Sequence, residues 1–351
     1  MSVRFRLAAV GLLAHAACAS GTKTDAQFQA NIVASKHQLL LGNVQALNQA
    51  ARDLQTAAPT PIGSGWGDTN MDAIATMKNA WARMRTAWEA SEGVIAPLFP
   101  DLDGSLDARY DELLMGLGPG GDPDLFDGQG VTGMHAVERI LFAPLIPAAV
   151  VAQESALPGY VPAAWPATQE QALAFKNGLC GRLVSDSQAL VDMWKPVAID
   201  LNQAFEGMTS LMNEQKEKVS LAAEHQEESR YSQRTMGDLR DNLMGTRAAY
   251  ELFTPWLETK KGGLDENTQV EAALDRLGQT YSTVYGDAIP TPPPTLDPNQ
   301  PLSVTDQATP FGMLYVAVVQ EVDPTYTGSV VNVMNVVASA LGLPQFTGAS
   351  N

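Results

Sequence analysis

Over residues 28–57, apolar side chains such as Ile32, Leu39, Leu40, Val44, Leu47, Ala51 and Leu54 return every three or four positions. That step lines them along one face of a helix. Pro59, Pro61, Gly63, Gly65 and Gly67 break the pattern, and a second helix is predicted over 71–96, stopped by Pro97. A shorter helix follows Ser105. The loop over 116–130, with Pro119, Gly120, Gly121 and Pro123, delivers the chain to an apolar helical run around His135 that Pro144 and Pro147 end. Pro158, Pro162 and Pro166 mark another irregular link, after which Thr168 can cap a long helix reaching Lys195. Pro196 starts or kinks the next, which runs through Met208, Leu211 and Val219 towards Glu224. Helices over 229–257 and 265–285 complete the central part.

Residues 287–310 carry seven prolines, from Pro290 to Pro310, and read as a stiff extended connector. Beyond it, 311–322 and 330–341 are strongly apolar. The valines at 330, 331, 333, 336 and 337 suit strands, but Asn332 and Asn335 recur at helical spacing and Gly342 stands as a stop, so both read as closing helices rather than a membrane-active tail. Strand-type alternation is almost absent. The expected fold is all-α, built of antiparallel helical bundles, because short breaks between long helices fold neighbours back on one another.

With 351 residues and 45% hydrophobic content, the chain can bury one large core or two smaller ones. A net charge of -17 repels nucleic acid and anionic lipid and concentrates cations. Arg4 and Arg6 followed by the apolar run 7–14 form an export signal, too short for a membrane span. The expected division is a signal over 1–19 and a helical domain over 25–351. Lipidation at Cys18 and plain cleavage after Ala19 both fit, so the mature protein is expected in the periplasm or cell envelope, held to membrane only through that lipid. Cys180 alone would remain, which leaves no intramolecular disulfide.

The chemistry concentrates in Gly133-Met134-His135-Ala136-Val137-Glu138, where an imidazole and a carboxylate three residues apart share one helix face. Both are donors for a first-row transition metal, and Gly133 lets another backbone come close. A bundle site needs partners from other helices. Three acidic segments offer them: Trp88-Glu89-Ala90-Ser91-Glu92; the run 101–111, with Asp107 and Asp111 one helical turn apart; and Glu227-Glu228-Ser229-Arg230-Tyr231-Ser232.

In that order, Trp-Glu-x-x-Glu, Asp-Leu-Asp, Asp-Ala-Arg, Gly-x-His-x-x-Glu and Glu-Glu-x-Arg-Tyr-Ser resemble the imelysin family, closest to its EfeO and EfeM type of periplasmic iron-uptake protein. The resemblance runs from about Trp81 to Leu257. It implies a two-bundle helical fold and a His-x-x-Glu metal site in which His135 and Glu138 are joined by Glu92 and Asp111, with Glu89 and Glu228 as second choices. Arg109 and Arg230 would orient carboxylates. The chain departs from the branch in having Gln233 where His is usual and Gly93 where Pro is common. It also carries the proline connector and is expected to lack a copper-binding N-terminal domain.

One imidazole among carboxylates is an oxygen-rich donor set, which suits iron ahead of zinc or copper. The implied partners are the metal ion and an inner-membrane iron permease or other envelope uptake components. The rival is an imelysin-type metallopeptidase using Glu89, Glu92 or Glu138 as base; a further alternative is a cell-surface interaction protein with a structural metal site. No His-Glu-x-x-His, Gly-x-Ser-x-Gly or phosphate-binding loop occurs, and no catalytic residue is assigned.

Overall fold

The computed structural model describes residues 23–297 and 300–348. The predicted signal and Cys18 lie outside the described residues. Helix α1 (Asp25–Ala57) opens on a capping box in which Thr24 accepts from the Gln27 amide and the Gln27 side chain returns to the Thr24 amide. Helix α2 (Met71–Glu89) runs antiparallel to it, since Asn43 reaches Ala90 while Asp53 pairs with Arg83. Next come α3 (Glu92–Leu98), α4 (Pro100–Asp107), α5 (Tyr110–Leu117), α6 (Gly133–Leu141), α7 (Ala148–Glu154), α8 (Gln169–Ala174) and α9 (Cys180–Trp194). A π turn at Phe175–Leu179 joins α8 to α9, and Thr168 caps the run by accepting from Gln171. α9 is also antiparallel to α1: Asn48 bonds Ser187, while Gln55 bonds the Lys176 carbonyl.

The second bundle contains α10 (Leu201–Ser220), α11 (Thr235–Glu251), the short α12 (Thr254–Leu257), α13 (Gly263–Ser282), the short α14 (Val304–Gln307), α15 (Pro310–Val322) and α16 (Val330–Leu341). α16 buries Val330, Val331, Val333, Met334 and Val337 against α13 and α10. Burial stabilises each such side chain by roughly 1.5–3 kcal/mol, which decides the helix over its β-branched strand preference. Gly342, with φ 71, closes it. The bundles meet where α3 packs on α10 and α2 on α11. There is no strand among the described residues, and no helix there is long and apolar enough to cross a membrane.

Four local expectations change. The helix over 71–96 breaks at Ala90 and Ser91, and Pro97 sits inside α3. The Ser91 hydroxyl donates to the carbonyls of Ala87 and Trp88 and competes with the helix ladder. Gly93 keeps the next segment against α10, because a Cβ there would lie 2.9 Å from the Gly207 carbonyl oxygen. The helix over 229–257 begins only at Thr235, because the preceding turn spends its groups locally: Ser229 bonds Thr235 and Asp238, and Gln233 takes φ 58. Within the 101–111 run, Arg109 starts a new helix by donating its amide to Glu112, so Asp107 and Asp111 sit on different helices. Finally, the connector 287–310 contains α14, capped by Ser303, and its last proline opens α15 rather than ending a segment.

Candidate metal centre

α6 is buried along its whole length and carries the cluster into the junction between the bundles. Gly133 makes this contact feasible: it takes φ 89, and a Cβ there would lie 2.7 Å from the Leu106 carbonyl oxygen. The end of α4 therefore rests on the start of α6, and Asp107 comes beside His135. Trp81 secures the arrangement by donating to the Met134 carbonyl at 3.0 Å, and Trp88 by donating to Asp107 Oδ2 at 2.8 Å.

His135 is oriented by its own helix. Its Nδ1 lies 2.9 Å from Glu138 Oε2, and the other Glu138 oxygen accepts the Ser232 amide at 2.8 Å. When the imidazole gives up one proton, the carboxylate beside Nδ1 keeps the other there and leaves Nε2 as the atom open to a metal. Nε2 is buried, has no hydrogen-bond partner, and lies 3.3 Å from Asp107 Oδ1. Donor atoms of Asp107, His135 and Glu228 all fall within 4.8 Å of one another. Two ligands each about 2.1 Å from one ion stand at most about 4.2 Å apart, so a small contraction would seat one.

Two cations of the chain thread this cluster. Arg85, fully buried on α2, pairs with Asp107 and Glu89, with Glu228 at 2.9 Å and with Asp238 at 3.6 Å. Lys218 of α10 pairs with Glu92 at 2.8 Å and Glu228 at 2.9 Å, and lies 3.5 Å from Glu89. Burial opposes the Glu228 charge, yet Lys218, Arg85 and His135 hold its carboxyl well below the usual range. Burial and the Arg85 charge oppose the imidazolium of His135, but Asp107 and Glu138 outweigh them and raise it to about 9. A hydrogen-bonded chain holds the far side: Tyr281 donates to Gln215, Gln215 to Asn242, and Asn242 to Glu89 Oε2 at 2.7 Å.

The structure brings together five of the six residues expected from the sequence around one junction, in unequal roles. His135 and Glu228 converge on a common point. Glu138 faces His135, but both its oxygens are already engaged, so it stands behind the imidazole. Glu89 and Glu92 lie in the adjoining half of the cluster, bound by Arg85, Lys218 and Asn242. Asp111 is not there: it accepts from Arg230 at 2.6 Å in a separate network, and the acid of that run that lies beside His135 is Asp107. Arg85, Lys218, Asp238 and Asn242 were not singled out from sequence. The i, i+4 spacings of Arg85 with Glu89 and of Arg234 with Asp238 were the local signals available.

A cleft of about 450 Å³ opens onto the cluster, lined among others by Asp103, Asp107, Glu112, Glu217, Lys218 and Glu228. Burial and the neighbouring Asp107 and Glu92 charges push the Asp103 carboxyl up to about 7. Asp107 and Glu228 each keep 11% of their side-chain surface exposed, so the cluster is reached by solvent from this side.

A two-bundle helical protein with a buried imidazole–carboxylate cluster at the bundle junction is the class defined here. The chain belongs to the imelysin family, whose model (imelysin, peptidase M75) matches residues 33–299. It is similar to the iron uptake system component EfeM of Pseudomonas syringae pv. syringae (strain B728a), 25% identical over 214 residues, which are 61% of this chain and 61% of that protein. The chain thus matches less than two thirds of that relative's length. Its fold is shared with the crystal structure of an iron-regulated protein A precursor from Parabacteroides distasonis ATCC 8503. That likeness has a TM-score of 0.51 and 16% identity, and covers 92% of this chain and 97% of that one.

Proposed function

We propose that this protein binds a first-row transition-metal ion as cargo, iron before zinc or copper, and serves iron uptake or handling at the cell envelope. The observation that carries the reading is the His135 Nε2: a buried nitrogen with no hydrogen-bond partner, 3.3 Å from Asp107 and grouped with Glu228, behind an acidic cleft that those two carboxylates line. Asp107, His135 and Glu228 would hold the ion, with Glu138 orienting the imidazole. A donor set of oxygens with one nitrogen and no thiolate suits iron, and the buried Cys180 lies outside the grouped donors. The iron-uptake name of the Pseudomonas syringae relative supports the same reading. Export by the N-terminal signal, with or without a lipid on Cys18, and delivery to an inner-membrane permease belong to it.

A binding role is favoured over a peptidase by the state of the carboxylates. A hydrolytic base needs a free lone pair beside the attacking water. Glu138 is committed to His135 and Ser232, and Glu89 and Glu92 are committed to Arg85, Lys218 and Asn242. Calorimetric titration with ferrous, ferric, zinc and cupric ions tests the proposal. His135→Ala is expected to weaken binding by at least about tenfold, the lower end of what even outer-shell losses cost. Unchanged affinity in that variant would remove the site.

A further inference from the structure

The carboxylate of Asp107 is divided between two donors of different kinds. Arg85 and Trp88 stand three residues apart on α2, so they share one face of that helix, and each takes one oxygen of Asp107. The guanidinium pairs with Oδ1, the oxygen that lies 3.3 Å from His135 Nε2. The indole Nε1 donates to Oδ2 at 2.8 Å. These contacts respond to an incoming cation in opposite ways. An ion at Oδ1 supplies the charge that Arg85 supplied there, and Arg85 keeps its pair with Glu89. The indole N–H is a donor only and Trp88 has no exposed surface, so it has neither a net charge for the ion to repel nor water to turn to.

With Oδ2 held, Asp107 offers an ion one oxygen. That choice bears on which ion is bound. Calcium takes roughly six to eight oxygens at about 2.3–2.6 Å and draws both oxygens of a carboxylate where it can, whereas zinc closes a smaller shell at about 2.0–2.2 Å with one atom from each ligand. We propose that Trp88 is a specificity-determining residue of the metal site: by holding Oδ2 it confines Asp107 to the oxygen beside His135 Nε2 and so favours a first-row transition ion over calcium. This rests on the metal-binding reading of Asp107, His135 and Glu228, but the two fail differently. Trp88→Phe keeps an aromatic ring in the core and removes the donor that holds Oδ2, leaving the carboxylate free to chelate. Trp81→Phe is the control, since Trp81 is as deeply buried on the same helix but donates to the Met134 carbonyl.

Zinc and calcium ions are titrated separately into wild type and both variants by calorimetry. In Trp88→Phe the ratio of calcium to zinc affinity is expected to rise at least about tenfold, the lower end of what an outer-shell partner contributes. A loosened core weakens both ions together, so Trp81→Phe should leave the ratio within about twofold. If wild type binds zinc but the ratio is unmoved in Trp88→Phe, or rises equally in Trp81→Phe, the proposal is overturned and the metal site stands. If wild type binds neither ion, both fall. Should Trp88→Phe fail to fold, wild type isotopically labelled in its six tryptophan indoles carries the test by magnetic resonance. The indole signal that Asp107→Asn shifts is expected to stay protected from solvent exchange when zinc is bound, and loss of that protection overturns the proposal.

Discussion

Two buried charge networks lie side by side in this protein and share three stretches of chain. From α6 come His135 and Glu138 for one and Arg139 for the other; from the 107–111 run come Asp107 and Asp111; from the 227–231 turn come Glu228 and the pair Arg230 and Tyr231. In the second network Arg139 donates to Glu154 at 3.0 Å and to the Val161 carbonyl at 2.7 Å, and its guanidinium lies 3.9 Å from the Tyr110 ring centre. Tyr231 donates to the other Glu154 oxygen, and Arg230 pairs with Asp111 at 2.6 Å and Glu154 at 3.3 Å. Guanidiniums and carboxylates match one for one there, and aromatic rings cover them. In the first network carboxylates outnumber the cations, and the cleft that reaches in is the larger, about 450 Å³ against about 200 Å³ at Asp111. Burial and charge alone do not mark a binding site; acceptors left in excess beside a solvent path do.

The comparison breaks most visibly in stability. Arg139→Met leaves Glu154 buried with one guanidinium fewer, and removing one partner of a buried pair typically costs about 3–5 kcal/mol. Urea unfolding should show a loss of that order, while metal affinity of the folded variant stays within about twofold, below the tenfold that loss of even an outer-shell partner costs. A loss of metal binding as large as that of His135→Ala would join the two networks into one site.

The next effect depends on pH. His135 holds its proton more tightly in the folded protein, with its pKa raised from 6.5 to about 9. Its contribution to the metal-free protein is therefore fully present below pH 6.5 and lost as pH rises through about 9. At about 1.4 kcal/mol per unit the whole is on the order of 3 kcal/mol. Unfolding curves in chelator for wild type and His135→Gln should converge across that window. Metal affinity runs the other way, falling up to about tenfold per pH unit below the imidazole pKa as the proton competes for Nε2. A pH-independent difference between the two proteins would show that His135 is neutral throughout.

The sharpest test is also the smallest. Asp107→Asn should weaken metal binding by about tenfold, about 1.4 kcal/mol, whereas Asp111→Asn should leave it within about twofold. Equal losses in paired calorimetric titrations would return Asp111 to the site.

Much of this was legible along the chain. The apolar steps that mark α1, the Thr168 cap, the His135 helix and the valine-rich α16 are local patterns, and helical periodicity reports them directly. Gly133 was readable as a point of close approach, and Leu106 is what approaches. The breaks were harder. Ser91 ends α2 through hydroxyl bonds to carbonyls in the preceding turn, a competition that serine does not win in every helix. The 229–234 turn looked helical because its side chains, not its apolar spacing, carry the bonds that bend it.

Composition and periodicity by themselves determined an all-α chain, and the spacing of His135 and Glu138 determined that an imidazole and a carboxylate would touch on one helix face. Tertiary structure alone decided which acids join them. Asp107 and Asp111 are four residues apart, yet Arg85 and Trp88 draw one to the imidazole and Arg230 draws the other away. Lys218, far along the chain on α10, settles onto Glu92 and Glu228 for the same reason. Pairing of buried charges is a sum over every neighbour in a low-dielectric interior, and those neighbours come from distant helices that no local period records.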